Sequence, residues 1–542
     1  MDSSSQKPVA SNYSKTSPVG AFVAFPTEVT LQVLSYLSVR DLLRCTRTCT
    51  FLHSAVNHSP ELLYRVELAA EGFVDHAASD LSVRERLNLL IRQAVAWRSL
   101  RWRKQTTFTT PQIEFFHFAD GTFIARPCVS IGIPERVLHI YQSSPALESG
   151  GAFPINLELE TDANVSGAYH TFDVSQDLLV LGYQHHLPND LPRVRLRLRT
   201  LSSHGSSPHP AASQETLELS YNAPAPVIRC RFRIAGPLLG VGTEDATRGY
   251  FVFIWNWKTG DTVLDMDSTD RASLYDFCFL SEYRLMLLCA TASELFLEIR
   301  SVDQESSATN DSKVLLRLSF PDLGSQFFSG FSLSHGPFQS DISEGTPFVK
   351  RSDGRIYAIV LRRHRRQVSP AFCFVVHHET MTALLQQKET KHIPWDEWGP
   401  KNTRMIYRHM LRSEWATVIN GWICNERLIG SVHTSYRRYE PRRLLDFNVR
   451  PYIRQLAMTP NHAGASTEEA GELVTEATTI SLEVGIPEHT IAITTSLPFY
   501  SVPINLPDME RRLVSIMDDR HLVFTEDCRA PERDTLDIFA FE

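Results

Sequence analysis

The stretch DFCFLSEYRLMLLCA, residues 276–290, followed by LFLEIRSV, residues 295–302, decides how most of this chain is read. Phe277 and Phe279 lead into a polar break at Ser281-Glu282-Tyr283. An apolar run from Leu285 to Ala290 follows, and a third segment comes after a second break. Short apolar runs bounded by turn residues are the pattern of antiparallel strands. The unit recurs as TFDVSQDLLVLGY (171–183) with VRLRLRTL (194–201), and as RFRIAGPLLGVGT (231–243) with YFVFIWNW (250–257). Later copies are ATVINGWICNERLIGSV (416–432) with RRLLDFNV (442–449), and VSIMDDRHLVFTED (514–527) with LDIFAFE (536–542). From Phe172 to Phe232 is 60 residues and from Phe232 to Phe277 is 45. The third strands start 22, 18 and 18 residues later, at Val194, Tyr250 and Leu295.

Repeated antiparallel units of this length predict the blades of a β-propeller. The region 106–542 would hold roughly seven or eight blades with long insertions. No GH…WD signature recurs, so the likeness to WD40 repeats is one of shape, and a distorted sandwich or two smaller β-domains stay open. Within one unit, Val194, Leu196 and Leu198 alternate with Arg195, Arg197 and Arg199, which predicts a strand with one apolar face. The terminal strand TLDIFAFE fits a ring closed by the last segment. The polar stretches 301–313 and 459–477 read as surface insertions, the second acidic and mobile.

Ahead of this region the period is helical, from residue 25 to about 104. Val29, Val33, Leu34 and Leu37 form one apolar stripe, and Pro26 suits a first turn. Ser38 and Asp41 read as a capping-box start for a second helix carrying Leu42, Leu43, Cys45 and Cys49. A third short helix, FLHSAVN, follows Thr50. Ser59-Pro60-Glu61 opens ELLYRVELAAEGF, with Gly72 as its stop, and Ser82 with Glu85 opens a longer helix through Trp97 and Leu100. Residues 1–20 are polar and Ser-rich and read as a disordered tail.

The 542 residues exceed one ordinary compact domain, and with 43% hydrophobic residues the chain has ample core. A net charge of -8 argues against wholesale nucleic-acid binding. The nine cysteines, at 45, 49, 128, 230, 278, 289, 373, 424 and 528, are odd in number, scattered and free of CxxC pairs, the usage of a reducing compartment. With no signal-peptide pattern and no run of about 18 apolar residues, an intracellular protein is expected, cytoplasmic or nuclear or both, with no membrane partner.

Motifs for chemistry are sparse. There is no P-loop, no G-x-S-x-G and no H-E-x-x-H; GVGTED, 240–245, lacks the third glycine of a dinucleotide fingerprint. His377-His378-Glu379 reads as a strand end, since adjacent strand residues point to opposite faces. Cys45 and Cys49 read as core, with no further paired ligands nearby. RRHRR (362–366) and RRYEPRR (437–443) read as solvated turns, with an acidic partner or nuclear import as the functional option for each. IPWDEWGPKNTRMI (393–406) reads as an ordered crossing loop whose Trp395 and Trp398 plug the core. No catalytic residues, cofactor or metal are expected.

The stretch FPTEVTLQVLSYLSVRDLLRCTRTCTFLHSAVN resembles an F-box, matched at Phe25, Pro26, Glu28, Val29, Val33, Leu34, Leu37, Asp41, Leu42, Leu43, Cys45, Cys49 and Phe51. Phe25 stands where the family usually has Leu, and Thr30 where it often has an apolar residue. More widely, SPELLYRVELAAEGF, RERLNLLIRQAVAWRSLRW, SQDLLVLGY, WNWKTGD and PWDEWGP resemble fungal F-box proteins with β-rich C-terminal halves. With the repeats and the helical period, the expected organisation is an α+β multidomain chain: a tail at 1–20, an F-box at 21–65, a helical stalk at 66–105 and a propeller-like substrate-binding domain at 106–542. The resemblance implies docking on a Skp-type adaptor, and through it a cullin, by Phe25, Pro26, Glu28, Val29, Val33, Leu34, Leu37, Leu42, Leu43 and Phe51, the helix-in-groove mode. The protein would be a non-catalytic substrate receptor of a ubiquitin ligase, or else an F-box scaffold outside one. An enzyme on a propeller would need converging carboxylates or histidines in the channel.

Overall fold

The structure is a computed structural model. It describes residues 25–541 except 77–78, 111–112, 128–136, 143–154, 160–164, 186–192, 221–226, 246–248, 268–271, 303–311, 324–327, 339–346, 364–368, 388–391, 411–421, 431–441, 459–470, 484–489, 507–511 and 527–533. Five helices come first: α1 (Thr27–Ser35), α2 (Val39–Thr46), α3 (Thr50–His58), α4 (Pro60–Glu71) and α5 (Val83–Ser99). A seven-bladed β-propeller follows.

The blades are antiparallel sheets in chain order. Blade 1 spans Ile113 to Glu158, blade 2 Val165 to Ser220, blade 3 Val227 to Asp267 and blade 4 Ser273 to Ser319. Blade 5 runs from Phe328 to Met410, blade 6 from Ile423 to Pro503, and blade 7 is built from Arg512 to Ala540 plus Lys104–Thr110. The first strand of each blade lies innermost and touches its counterparts around the ring. The five units legible as repeats fall in blades 2, 3, 4, 6 and 7.

Ring closure differs from the expectation in one respect. Asp534–Ala540 is the third strand of blade 7, and the fourth is Lys104–Thr110, paired from Lys104↔Ala540 to Thr110↔Asp534. The chain therefore closes the ring by joining its start to its end. KQTTFTT hid this strand because an outermost strand keeps alternate residues in water, and here only Phe108 and Thr110 are buried. Blade 5 does not show the repeat in its sequence, because residues 336–355 separate its first two strands.

Between blades the apolar faces interlock. Val194, Leu196 and Leu198 are fully buried in one cluster with Leu239, Val241 and Trp255 of the next blade, while Arg195, Arg197 and Arg199 lie half-buried on the opposite face, as the alternation requires. Arg195 pairs with Glu218 at 2.9 Å and Arg199 with Glu215 at 2.7 Å. Trp395 and Trp398 are buried as expected, but on a helix, α7 (Trp395–Asn402), which follows α6 (His378–Gln386). Trp398 Nε1 donates to the Ser319 carbonyl at 2.8 Å, which lashes α7 to blade 4. Of the expected insertion 459–477, residues Glu472–Val474 instead pair with Phe499–Ser501 in blade 6; 459–470 lie outside the described residues, as do 303–311 and the tail 1–20.

Candidate docking face on the N-terminal helices

Local signals place the helices. Ser38 caps α2: its Oγ accepts the Asp41 N–H at 3.2 Å and donates to the Asp41 carboxylate at 2.7 Å. That bond, with one from Arg44, holds Asp41 below the usual carboxylate range. Ser59 caps α4, Gly72 ends it at φ 72, and Ser82 and Glu85 form a complete capping box on α5. The end of α1 is pinned by Arg65 of α4, which donates to the carbonyls of Ser35 at 2.6 Å and Leu37 at 2.7 Å.

The structure divides the ten residues expected from the resemblance to meet an adaptor. Leu34, 1% exposed, and Leu42, 0% exposed, point inward and form a small core with Val56, Leu62 and Val66. Leu37 is half-buried against that core, and Phe51 is half-buried as well. Phe25, Pro26, Glu28, Val29, Val33 and Leu43 are exposed. The apolar stripe is therefore two faces rather than one, because Val33 and Leu34 are adjacent and lie about 100° apart around a helix. Tyr36, 81% exposed, shares the outer face of α1 with Val29 and Val33 at i, i+4 and i+7. Sequence reasoning passed over Tyr36, although its spacing from Val29 could have found it. Thr30 is buried, and its hydroxyl has no hydrogen-bond partner among the described residues.

This face is carried by a stiff support. Helices α4 and α5 lie side by side in the same direction, since Tyr64 meets Arg86 near their starts and Glu71 pairs with Arg98 at their ends. The last carbonyls of α4 are taken by ring side chains: Lys350 Nζ donates to Glu71 at 2.6 Å and Asn448 Nδ2 to Ala70 at 2.9 Å. Phe73–Asp75 pairs as a strand with Phe348–Lys350. Trp97 of α5 stacks on Phe541 with ring centroids 4.2 Å apart, lies under the Arg427 guanidinium, and donates to the Asp519 carbonyl at 2.8 Å. Burial lowers the Lys350 pKa and raises Glu426 to about 7 at this junction.

The remaining motifs resolve as follows. His377 ends a strand and His378 starts α6, where its Nδ1 lies 3.0 Å from the Tyr357 hydroxyl. Cys45 is on α2, but Cys49 caps α3, so they do not share a helix as expected. Arg362 is buried beside Ser332 rather than solvated, at 3.2 Å; residues 364–366 of RRHRR and 437–441 of RRYEPRR lie outside the described residues. Among the described residues no cluster of three His, Cys, Asp or Glu side chains could hold a metal, and no helix is long and apolar enough to cross a membrane.

Comparison with known proteins agrees with this arrangement at the domain level. Residues 22–68 match the F-box-like family model. No curated protein matches. Solved structures that align include the WD40 domain of SCAP from fission yeast, 6% identical over 80% of this chain and 82% of that one, TM-score 0.31. Another is the extracellular domains 1–2 of Drosophila Semaphorin 1b, 9% identical over 81% and 86%, TM-score 0.34. Likeness this low carries nothing about partners.

Proposed function

We propose that this chain, which carries an F-box-like domain ahead of a seven-bladed β-propeller, is a substrate receptor of a Skp–cullin–F-box ubiquitin ligase. The observation that carries this is the outer face of α1 and α2. Val29, Val33, Tyr36 and Leu43 stand exposed on helices already held together by Leu34 and Leu42. Each such side chain, once covered, contributes on the order of 1.5–3 kcal/mol before association costs. An adaptor of the Skp type takes that face, and the cullin follows through the adaptor.

In this account the propeller holds a target protein, and the chain does no bond chemistry. Its contribution is proximity: a target lysine is kept at high effective concentration near the conjugating enzyme. The junction at Trp97, Lys350 and Glu71 suits that task, since a floppy joint would dilute the effect. The ten residues named from the sequence then divide by role, the exposed ones meeting the adaptor and the buried ones shaping the helices. A cytoplasmic or nuclear location belongs to the same proposal.

The test is reconstitution of the full chain with a Skp-type adaptor, cullin and conjugating enzyme. Stable co-purification with ubiquitin transfer to a bound protein supports the receptor. Co-purification with no transfer to any associated protein would make the chain a scaffold, and failure to bind the adaptor would remove the basis of the proposal.

A further inference from the structure

Basic residues are plentiful in this chain and lysines are not: of 54 basic side chains, 9 are lysine and 45 arginine. The two carry the same charge but differ as nucleophiles. A lysine amine that sheds its proton attacks a thioester carbonyl, and an amide forms as the thiol leaves. A guanidinium keeps its proton and does not attack. Arginine therefore keeps a surface charged without offering an acceptor for ubiquitin.

Where the lysines stand matters more than how few they are. Between Lys15 and Lys104, the stretch that holds all five helices, there is none, although Arg40, Arg47, Arg84, Arg92 and Arg101 are exposed there. In the ring, the antiparallel order of each blade puts the first-to-second and third-to-fourth turns at one end. The second-to-third turns and the links between blades lie at the other. The helices stand on the first end, where Phe73–Asp75 pairs with Phe348–Lys350 and Trp97 meets Asp519. Lys104, Lys258, Lys313, Lys350 and Lys401 all belong to that end. Lys350 is withdrawn from water: it is 8% exposed, its Nζ donates to the Glu71 carbonyl at 2.6 Å and lies 4.1 Å from the Phe73 ring centroid. Lys388 and Lys391, outside the described residues, fall in the sequence between the third and fourth strands of blade 5. The sequences that make the turns and links of the far end contain no lysine, while arginine recurs in them. Arg193, exposed, and Arg442, half-buried, stand there at the starts of the third strands of blades 2 and 6.

The near end is partly taken by the helices, which leaves the far end for a target. We propose that the far end of the ring holds the target and faces the charged conjugating enzyme, and that arginine replaces lysine there and on the helices so that ubiquitin passes to the target and not to the receptor. This rests on the ligase reading, and adds to it where the target sits and how the receptor outlasts its own reaction.

The test assembles the full chain with a Skp-type adaptor, cullin and ubiquitin-charged conjugating enzyme. No target is added, and a long flexible tag bearing lysines follows Glu542 as a built-in acceptor. Conjugates are timed and mapped by mass spectrometry. One variant carries Arg193→Lys with Arg442→Lys at the far end, and another Arg84→Lys with Arg92→Lys on α5; each keeps the charge. The wild type is expected to take ubiquitin on the tag and little elsewhere. Both variants should gain conjugates at their new lysines, raising modification outside the tag about fivefold over the wild type. Lys258→Arg with Lys401→Arg should leave the wild-type yield unchanged. Modification of Lys258, Lys313 or Lys401 in the wild type as fast as the tag would overturn the proposal. New lysines that stay bare beside a modified tag would do the same, since the arginine bias would then have no bearing on transfer. A tag that itself stays bare would remove the ligase assignment and this inference with it, so the two failures are told apart.

Discussion

The three short helices at the N-terminus and the propeller solve the burial problem in opposite ways. In the ring every blade has neighbours on both sides, and Leu178, Val180, Leu198 and Leu239 reach zero exposure. Helices α1–α3 bury little more than Leu34, Leu42 and Val56, and leave Val29, Val33, Tyr36 and Leu43 in water. A ring of blades completes its own core, whereas three helices of eight or nine residues are too few to do so. The contrast separates a region that is finished alone from one whose outer face stays open among the described residues, which is the face the proposed adaptor would take.

The contrast can be broken first at the joint between the two regions. Trp97→Ala removes a buried aromatic that stacks on Phe541 and hydrogen-bonds to blade 7, at a cost of about 3–5 kcal/mol. Limited proteolysis should then cut near α5 while the ring stays intact; unchanged resistance would mean that the joint does not depend on Trp97. Within the helices, Leu42→Ala should cost about 2–5 kcal/mol, enough to melt so small a core without touching the propeller. Helical circular dichroism should fall while the near-ultraviolet signal of the ring persists.

Glu426 gives a subtler handle on the joint. Burial raises its carboxyl to about 7 in the folded state, above the ordinary value of 4.5, so the folded protein holds a proton that the unfolded chain releases. Its favourable contribution is complete below pH 4.5 and is lost as pH rises through about 7. Melting temperature should fall less between pH 5 and pH 8 in Glu426→Gln than in the wild type; an equal fall would dissociate Glu426 from the effect. The smallest change sharpens the comparison. Thr30→Val replaces a buried hydroxyl that has no partner among the described residues, and should stabilise the helices by roughly 1 kcal/mol. A loss of stability would indicate that the hydroxyl is satisfied in solution.

What could be read from the sequence follows the range of the forces involved. Caps at Ser38, Ser59 and Ser82 are contacts over two or three residues, and each appears where the sequence placed it. Strand alternation in VRLRLRTL is equally local. Ring closure joins residue 104 to residue 540, and nothing in the polar KQTTFTT announces a partner that far away. The division of Val33 from Leu34 was illegible for a different reason. Both are apolar, and only the position of α4, with Leu62 and Val66, decides which one turns inward.

The central claim is that an adaptor covers the exposed face of α1 and α2. The most direct measurement is the Kd of a Skp-type adaptor for the full chain and for Val33→Asp combined with Leu43→Asp, with helical circular dichroism matched between the two. Both positions are exposed, so folding should change by no more than about 0.5 kcal/mol each. The account predicts wild-type binding and a loss of at least a hundredfold in the folded double variant. Undiminished binding by that variant would contradict it.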